Sequence, residues 1–153
     1  MNDQSTTIKD CLAAGKPAAT YTTGVSMQPL LYEGKTYVII MPLTRELKKG
    51  DLPIYIRPDG VYVIHRVIRT DEEYYYTRGD NCITYEKIPR EWVLGEIVQI
   101  YRKGRVIKTT DAGYRLYVKV WGWIYPLRCF YKKCRMKASR LVKKCRNRKK
   151  QQQ

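Results

Sequence analysis

The chain has 153 residues, enough for one domain with its own hydrophobic core. Hydrophobic residues make up 44% and charged residues 29% of the sequence, which excludes a disordered chain. Residues 1–111 contain 16 basic and 14 acidic side chains, whereas residues 112–153 contain 14 basic ones and no acidic one. Such a basic segment predicts an anionic partner, either a membrane surface or a nucleic acid.

The cysteines and the histidine are not spaced as metal ligands usually are. The chain has five cysteines, none of them in a CxxC pair, and a single histidine, His65. We therefore expect no zinc site and no cofactor. The first ten residues lack the apolar core of a signal peptide, and the longest uncharged apolar stretches have eight residues. A membrane-spanning helix needs about 20 residues. These features favour a cytoplasmic chain with free thiols that does not cross a membrane.

The chain before residue 112 predicts a mainly β fold of coiled antiparallel sheets. Residues 1–20 form an N-terminal segment with a short helix over residues 8–14. Residues 21–111 form the domain itself, with six predicted strands: 35–41, 51–56, 61–69, 73–78, 92–101 and 105–109. The turn signature Arg57-Pro58-Asp59-Gly60 predicts that the second and third of these strands pair as a hairpin.

Residues 112–153 predict a long, basic, amphipathic helix. Apolar side chains recur at steps of three and four from Leu116 to Cys145, which places them in one stripe. Pro126 should kink the helix because it cannot donate to the Gly122 carbonyl. Two interpretations stay open: the stripe packs on the protein's own domain, or the helix lies in an anionic membrane interface. In the second case we expect membrane contacts from Trp121, Trp123, Arg128 and Lys132.

Three short segments, residues 24–30, 62–68 and 77–82, contain side chains suited to nucleophilic catalysis. Ser26 lies in the first, and a serine hydroxyl becomes a good nucleophile only when a base removes its proton. His65 lies in the second and is the one imidazole available as that base. A carboxylate behind the imidazole would fix its tautomer. Taken singly, each segment also suits an ordinary turn or a buried strand.

The order of four short motifs is more specific than any one of them. They are Ser26-Met27-Gln28-Pro29, Gly50-Asp51, His65-Arg66-Val67 and Gly79-Asp80-Asn81. In this order they resemble the signal peptidase I / LexA-like serine peptidase superfamily over about residues 23–101. Histidine in place of the bacterial lysine base is similar to the archaeal and endoplasmic-reticulum branch. The basic C-terminal segment is similar to that of small stand-alone bacterial relatives.

The resemblance implies a role for each matching residue. Ser26 would be the nucleophile, with its backbone N–H in the oxyanion hole, and His65 the general base. Met27 and Pro29 would shape the turn that presents the serine to the substrate. Either Asp80 or Glu86 would orient the imidazole. Asp80 is preferred, since a short carboxylate at a tight turn is better fixed.

Two positions depart from the family pattern. Many members carry a hydroxyl two residues before the nucleophile, where this chain has Gly24. Thr22 or Thr23 could replace that hydroxyl in the oxyanion hole. The second departure is the absence of an N-terminal anchor helix from the sequence. The basic segment could instead bring the domain to the inner face of the membrane.

These observations predict a serine endopeptidase that cleaves a peptide, or the leader of a precursor protein, at the membrane surface. A first alternative is a catalytically weak or inactive relative that acts as a peptide-binding or membrane-associated accessory module. A second alternative is nucleic-acid binding through the basic segment. The apolar stripe argues against it, because nucleic acid offers no hydrocarbon in which to bury those side chains. The residues before Ser26 are also too few for a dedicated DNA-binding domain.

Overall fold

The computed structural model of the protein describes residues 7–150, with side chains for residues 7–138. The chain divides into two compact units, residues 1–116 and residues 117–153. The first is mainly β, with curled antiparallel sheets after a short helix, and the second is helical. The predicted fold class is therefore confirmed.

The helices and strands follow in a simple order along the chain. Helix α1 spans Ile8–Ala13. The nine strands are β1 (Ala18–Tyr21), β2 (Thr36–Pro42), β3 (Pro53–Ile56), β4 (Tyr62–Ile64), β5 (Arg66–Thr70), β6 (Tyr74–Arg78), β7 (Glu86–Pro89), β8 (Val93–Arg102) and β9 (Arg105–Lys108). Helices α2 (Ala112–Trp123) and α3 (Tyr125–Lys150) end the described chain.

Two antiparallel sheets make up the first unit. The larger has the order β1-β2-β8-β3-β4, with β9 paired to β8, and the smaller has the order β5-β6-β7. Strand β2 alternates buried and half-buried side chains over most of its length, as expected for a strand with one face on a core. A buried cluster joins side chains of both sheets: Leu47, Tyr55, Val63, Val67, Tyr75 and Ile88.

The predicted third strand, residues 61–69, is two strands in two different sheets. Strand β4 pairs with β3 as the predicted hairpin, with Ile54 opposite Ile64. Strand β5 pairs with β6 instead, with Arg66 opposite Arg78. His65 alone separates β4 from β5, at the point where the chain passes from the larger sheet to the smaller. The prediction of one continuous strand was wrong because each half finds a different partner strand.

Two further strands were not predicted from the sequence. Strands β1 and β7 have four residues each, and neither stands out as a continuous apolar segment. Strand β1 pairs with β2, and β7 pairs with β6. Both border the site described below. The described residues 7–150 therefore contain nine strands instead of the predicted six.

The second unit continues the helix that begins at Ala112. Helix α2 ends at Trp123 and α3 begins at Tyr125, so the break falls just before Pro126. This position agrees with the predicted kink, since proline removes one backbone donor. The late positions of the apolar stripe, from residue 139 on, lie outside the described side chains.

Candidate active site

Ser26 lies in the loop between β1 and β2, at the start of a tight turn. The amide N–H of Leu30 donates to the Met27 carbonyl at 3.0 Å and closes the turn. The Asn81 amide N–H donates to the Ser26 carbonyl at 2.7 Å. The side-chain amide of Asn81 donates to the Val25 carbonyl at 3.1 Å. These bonds fix the backbone that carries the Ser26 hydroxyl.

Met27 and Pro29 anchor this turn to the rest of the first unit. The Met27 side chain is buried, and its sulfur accepts a hydrogen bond from the Asp80 N–H at 3.4 Å. The Pro29 carbonyl accepts a hydrogen bond from the Arg102 guanidinium of β8. The serine turn is therefore held both by the loop after β6 and by the larger sheet.

Gly79 lies where the Ser26 loop comes close to His65. A Cβ atom at this position would be 2.6 Å from the Ser26 carbonyl oxygen and 3.1 Å from His65 Nε2. Only a residue without a Cβ fits there unless its neighbours move. The Ser26 backbone and the Nε2 edge of the imidazole thus border the same small space. No hydrogen bond of the Ser26 hydroxyl is found in the described part of the chain, as is common in a nucleophile–base pair without substrate.

His65 is buried at the junction of the two sheets, with only 6% of its surface exposed. Burial lowers the pKa of the imidazole below its ordinary value of 6.5. The Glu86 carboxylate opposes this effect, the Arg57 guanidinium adds to it, and the more distant Asp80 opposes it. The imidazole is therefore neutral at neutral pH, which is the protonation state that a general base needs.

A chain of polar side chains leads away from the far nitrogen of His65. The Tyr55 hydroxyl lies 3.2 Å from His65 Nδ1 and donates to Glu86 Oε2 at 2.8 Å. The Arg57 guanidinium donates to both oxygens of the same carboxylate. Burial alone would raise the pKa of Glu86, but the hydrogen bonds from Arg57 and then Tyr55 outweigh it and lower this pKa. Glu86 is therefore an ionised acceptor at neutral pH.

Asp80 is paired with an arginine. Both of its carboxylate oxygens accept hydrogen bonds from Arg66, at 2.8 Å and 2.7 Å, and both side chains are buried. Arg66 also donates to the Gly50 carbonyl and to the Tyr114 hydroxyl. This geometry favours Glu86 over Asp80 as the carboxylate behind His65, against the preference drawn from the sequence. The physical reason is position, because Asp80 is held by Arg66, whereas Glu86 Oε1 lies 3.7 Å from His65 Nδ1 and Glu86 Oε2 accepts from the Tyr55 hydroxyl that faces the same nitrogen.

Gly24 has a left-handed backbone, with a φ of +76°, and open space around its absent side chain. A glycine suits this conformation better than a residue with a hydroxyl side chain. The Thr22 hydroxyl is buried and lies within hydrogen-bonding distance of the Tyr32 and Thr36 carbonyls. Thr22 is therefore committed elsewhere, whereas Thr23 is exposed and lines the cleft.

An open cleft of about 590 Å³ contains Ser26, His65 and Glu86 together. One wall is formed by β1 and the loop after it, and the opposite wall by residues 61–64, which include β4. Strands β1 and β4 lie at the two ends of the larger sheet's main strand order. Both edges can offer backbone hydrogen bonds to an extended peptide. Three apolar side chains of the walls are exposed: Tyr21, Val61 and Tyr62.

The four predicted membrane contacts lie in the helical unit. Trp123 is 84% exposed. Trp121 is half-buried, stacks on Tyr117 at 5.5 Å and has the Arg128 guanidinium 3.6 Å from its ring centroid. Lys132 is also half-buried and has partners of its own. Within the described residues, neither α2 nor α3 is both long and apolar enough to span a membrane.

Sequence reasoning missed the residues behind the imidazole: Tyr55, Arg57 and Thr77. They come from β3, the turn after it and β6, and nothing in their spacing relates them to His65. The sequence did contain one indication that His65 and Arg66 have different carboxylate partners. Neighbouring residues of an extended chain point to opposite sides, so Arg66 and His65 could not share one partner easily.

Comparison with known proteins adds no assignment, because neither a family model nor a curated protein matches this chain. A function for this chain is therefore proposed from the geometry of the site and the order of its motifs.

Proposed function

We propose that the protein is a serine endopeptidase that uses Ser26 as nucleophile and His65 as general base. The observation that carries the proposal is the approach at Gly79, where the Ser26 loop and His65 Nε2 border one space, together with the open cleft that Ser26 and His65 both line. The neutral imidazole, with a carboxylate network behind it, suits the same chemistry.

The reaction divides into two acyl transfers. His65 Nε2 takes the Ser26 proton as the hydroxyl oxygen attacks the substrate carbonyl, and the Ser26 N–H donates to the developing oxyanion. The imidazolium then protonates the leaving amine, and an ester to Ser26 remains. A water molecule then loses a proton to His65 and attacks the ester carbonyl, and His65 returns that proton to the Ser26 oxygen as the acyl–oxygen bond breaks. The substrate binds as an extended strand along the β1 or β4 edge.

A peptide-library assay read by mass spectrometry tests this function. Wild-type protein should give cleavage products, and Ser26→Ala and His65→Ala should give none while their unfolding transitions stay near that of wild type. Thr84→Ala, which removes an exposed hydroxyl that does not line the cleft, is the matched control and should cleave normally. Wild-type turnover by Ser26→Ala would overturn the proposal.

A second candidate function, peptide binding without cleavage, is favoured by one observation. Position 24 supplies no hydroxyl, and the Thr22 hydroxyl is committed to backbone carbonyls. Removal of one oxyanion donor costs about 10²–10³-fold in rate. An accessory module would bind library peptides equally well as wild type and as Ser26→Ala, with no products from either.

We also propose that the helical unit holds the protein on the cytoplasmic, inner face of an anionic membrane. Four stripe side chains at helical spacing are 46–84% exposed: Val120, Trp123, Leu127 and Phe130. The same segment has 14 basic residues and no acidic one from residue 112 on. Apolar side chains beside basic ones suit a helix lying in a lipid interface.

Sedimentation with vesicles tests this localisation. Wild type should sediment with vesicles containing phosphatidylserine and should be released by high salt. The variant Leu127→Ser/Phe130→Ser should remain in solution. Met136→Ser is the matched control, because Met136 is exposed but lies nine residues from Leu127, about half a turn around the helix. Equal sedimentation of all three proteins would contradict the proposal. So would tighter binding to duplex DNA, read by electrophoretic shift, than to the vesicles.

A further inference from the structure

The Tyr55 hydroxyl stands between the imidazole and the carboxylate that is expected to orient it. It is 3.2 Å from His65 Nδ1 and 2.8 Å from Glu86 Oε2. The direct distance from His65 Nδ1 to Glu86 Oε1 is 3.7 Å, too long for a hydrogen bond. Tyr55 is fully buried, and its β3 pairs with β8 through a register shift at this residue. Such irregularities re-aim a side chain.

Counting protons at this hydroxyl fixes the direction of each hydrogen bond. A phenol has one proton to donate, and an ionised carboxylate can only accept. The Tyr55 proton therefore belongs to Glu86, which the Arg57 guanidinium keeps ionised. The phenol oxygen is left with acceptor positions, and Thr77 Oγ1 at 3.2 Å and His65 Nδ1 both face it. His65 must then carry its proton on Nδ1.

The consequence appears on the other side of the ring. With the proton on Nδ1, Nε2 presents its lone pair, and Nε2 is the atom that faces the space shared with the Ser26 loop. Burial raises the pKa of Tyr55 most, and Glu86 raises it further, so that the phenol stays protonated. The groups whose charges act on the ring are Glu86, Arg57 and Asp80.

We propose that Tyr55 is a positioning residue that connects His65 to Glu86 and holds the imidazole in the Nδ1–H tautomer. The relay runs from His65 Nδ1–H to the Tyr55 oxygen and from the Tyr55 hydroxyl to the Glu86 carboxylate. Its consequence for the rate of cleavage rests on the proposed peptidase function. The tautomer itself is a property of the folded protein and can be measured without a substrate.

His65 is the only histidine in the chain, so the tautomer has a direct readout. We would label the imidazole with nitrogen-15, use a purification tag without histidine and record long-range proton–nitrogen spectra above the pKa of His65. Wild type should show a protonated Nδ1 and an unprotonated Nε2. Tyr55→Phe should show more of the Nε2–H form.

A matched control separates this role from general packing. Tyr75→Phe also removes a buried hydroxyl from the same core, where the phenol accepts from the Leu47 N–H rather than contacting His65. It should leave the tautomer unchanged. An Nε2–H tautomer in wild type would overturn the proposal, whether or not Tyr55→Phe folds. So would an unchanged tautomer in a folded Tyr55→Phe.

Kinetics on a peptide cleaved by wild type gives the second readout. Tyr55→Phe should lower kcat by about 10–100-fold with little change in KM, the loss expected for a hydrogen bond to a charged group. Tyr75→Phe should keep the wild-type rate. Full activity in Tyr55→Phe would refute the relay and leave the peptidase intact. Absence of cleavage by wild type would refute the peptidase, and the tautomer would still decide the relay.

Discussion

Gly79→Ala should damage the candidate site through one defined clash. The new Cβ would lie 2.6 Å from the Ser26 carbonyl oxygen and 2.8 Å from Cys82 Sγ. The Ser26 carbonyl oxygen would have to move away by at least 0.4 Å, because real Cβ atoms are essentially never closer than 3.0 Å to such a neighbour. The same carbonyl accepts the Asn81 N–H at 2.7 Å, so this bond is strained too. Overpacking of this kind costs about 1–3 kcal/mol.

Urea unfolding measures the cost directly, with Gly113→Ala as control. Gly113 has open space at its Cβ position and lies in α2, where alanine is expected to be neutral or slightly stabilising. Gly79→Ala should also lose cleavage by tenfold or more, since a displacement of about 1 Å at a reacting group can cost about 10²-fold. Equal stability of the two variants would refute the close approach at Gly79.

Three further predictions concern charge. Because Asp80 and Arg66 form a buried pair, Asp80→Ala should lower the free energy of unfolding by about 3–5 kcal/mol. The double variant Arg66→Met/Asp80→Leu should recover much of this loss. A loss below about 1 kcal/mol in Asp80→Ala would contradict a buried ion pair, since that is the range of exposed pairs. Because burial lowers the pKa of His65, the unfolded chain binds a proton first as the pH falls below 6.5, and stability should fall there by up to about 1.4 kcal/mol per pH unit. His65→Gln should lose less stability than wild type between pH 6.5 and the lowered pKa of His65. The same pH dependence of stability in both proteins would contradict this prediction. Cleavage should be half-maximal below pH 6.5, at the lowered pKa of His65.

The sequence predicted the parts of the fold that depend on local patterns. The apolar and β-branched residues at 35–41 and the turn at residues 57–60 identified strand β2 and the β3–β4 hairpin correctly. The division of residues 61–69 between two sheets could not be predicted in this way, because it depends on which distant strands are available as partners. The short strands β1 and β7 are likewise defined by their neighbours.

The residues of the candidate site likewise include some that the sequence identified and some that only the structure identified. Ser26 and His65 were named from motifs that are continuous in the sequence, and both line one cleft. Tyr55 was not named, because its role comes from contacts with β6 and β7 that lie 22 and 31 residues away in the chain. The choice between Asp80 and Glu86 also needed the structure, since it depends on where the Arg66 side chain points.

The central claim is that Ser26 forms a covalent acyl intermediate. Intact-mass spectrometry of wild type, quenched in acid during turnover of a cleaved peptide, tests it most directly. Acylation of Ser26 should add a mass equal to the acyl part of the substrate, mapped to the peptide that contains Ser26, and Ser26→Ala should show no adduct. Products formed without an adduct, or an adduct on Cys82 in the same cleft, would contradict it.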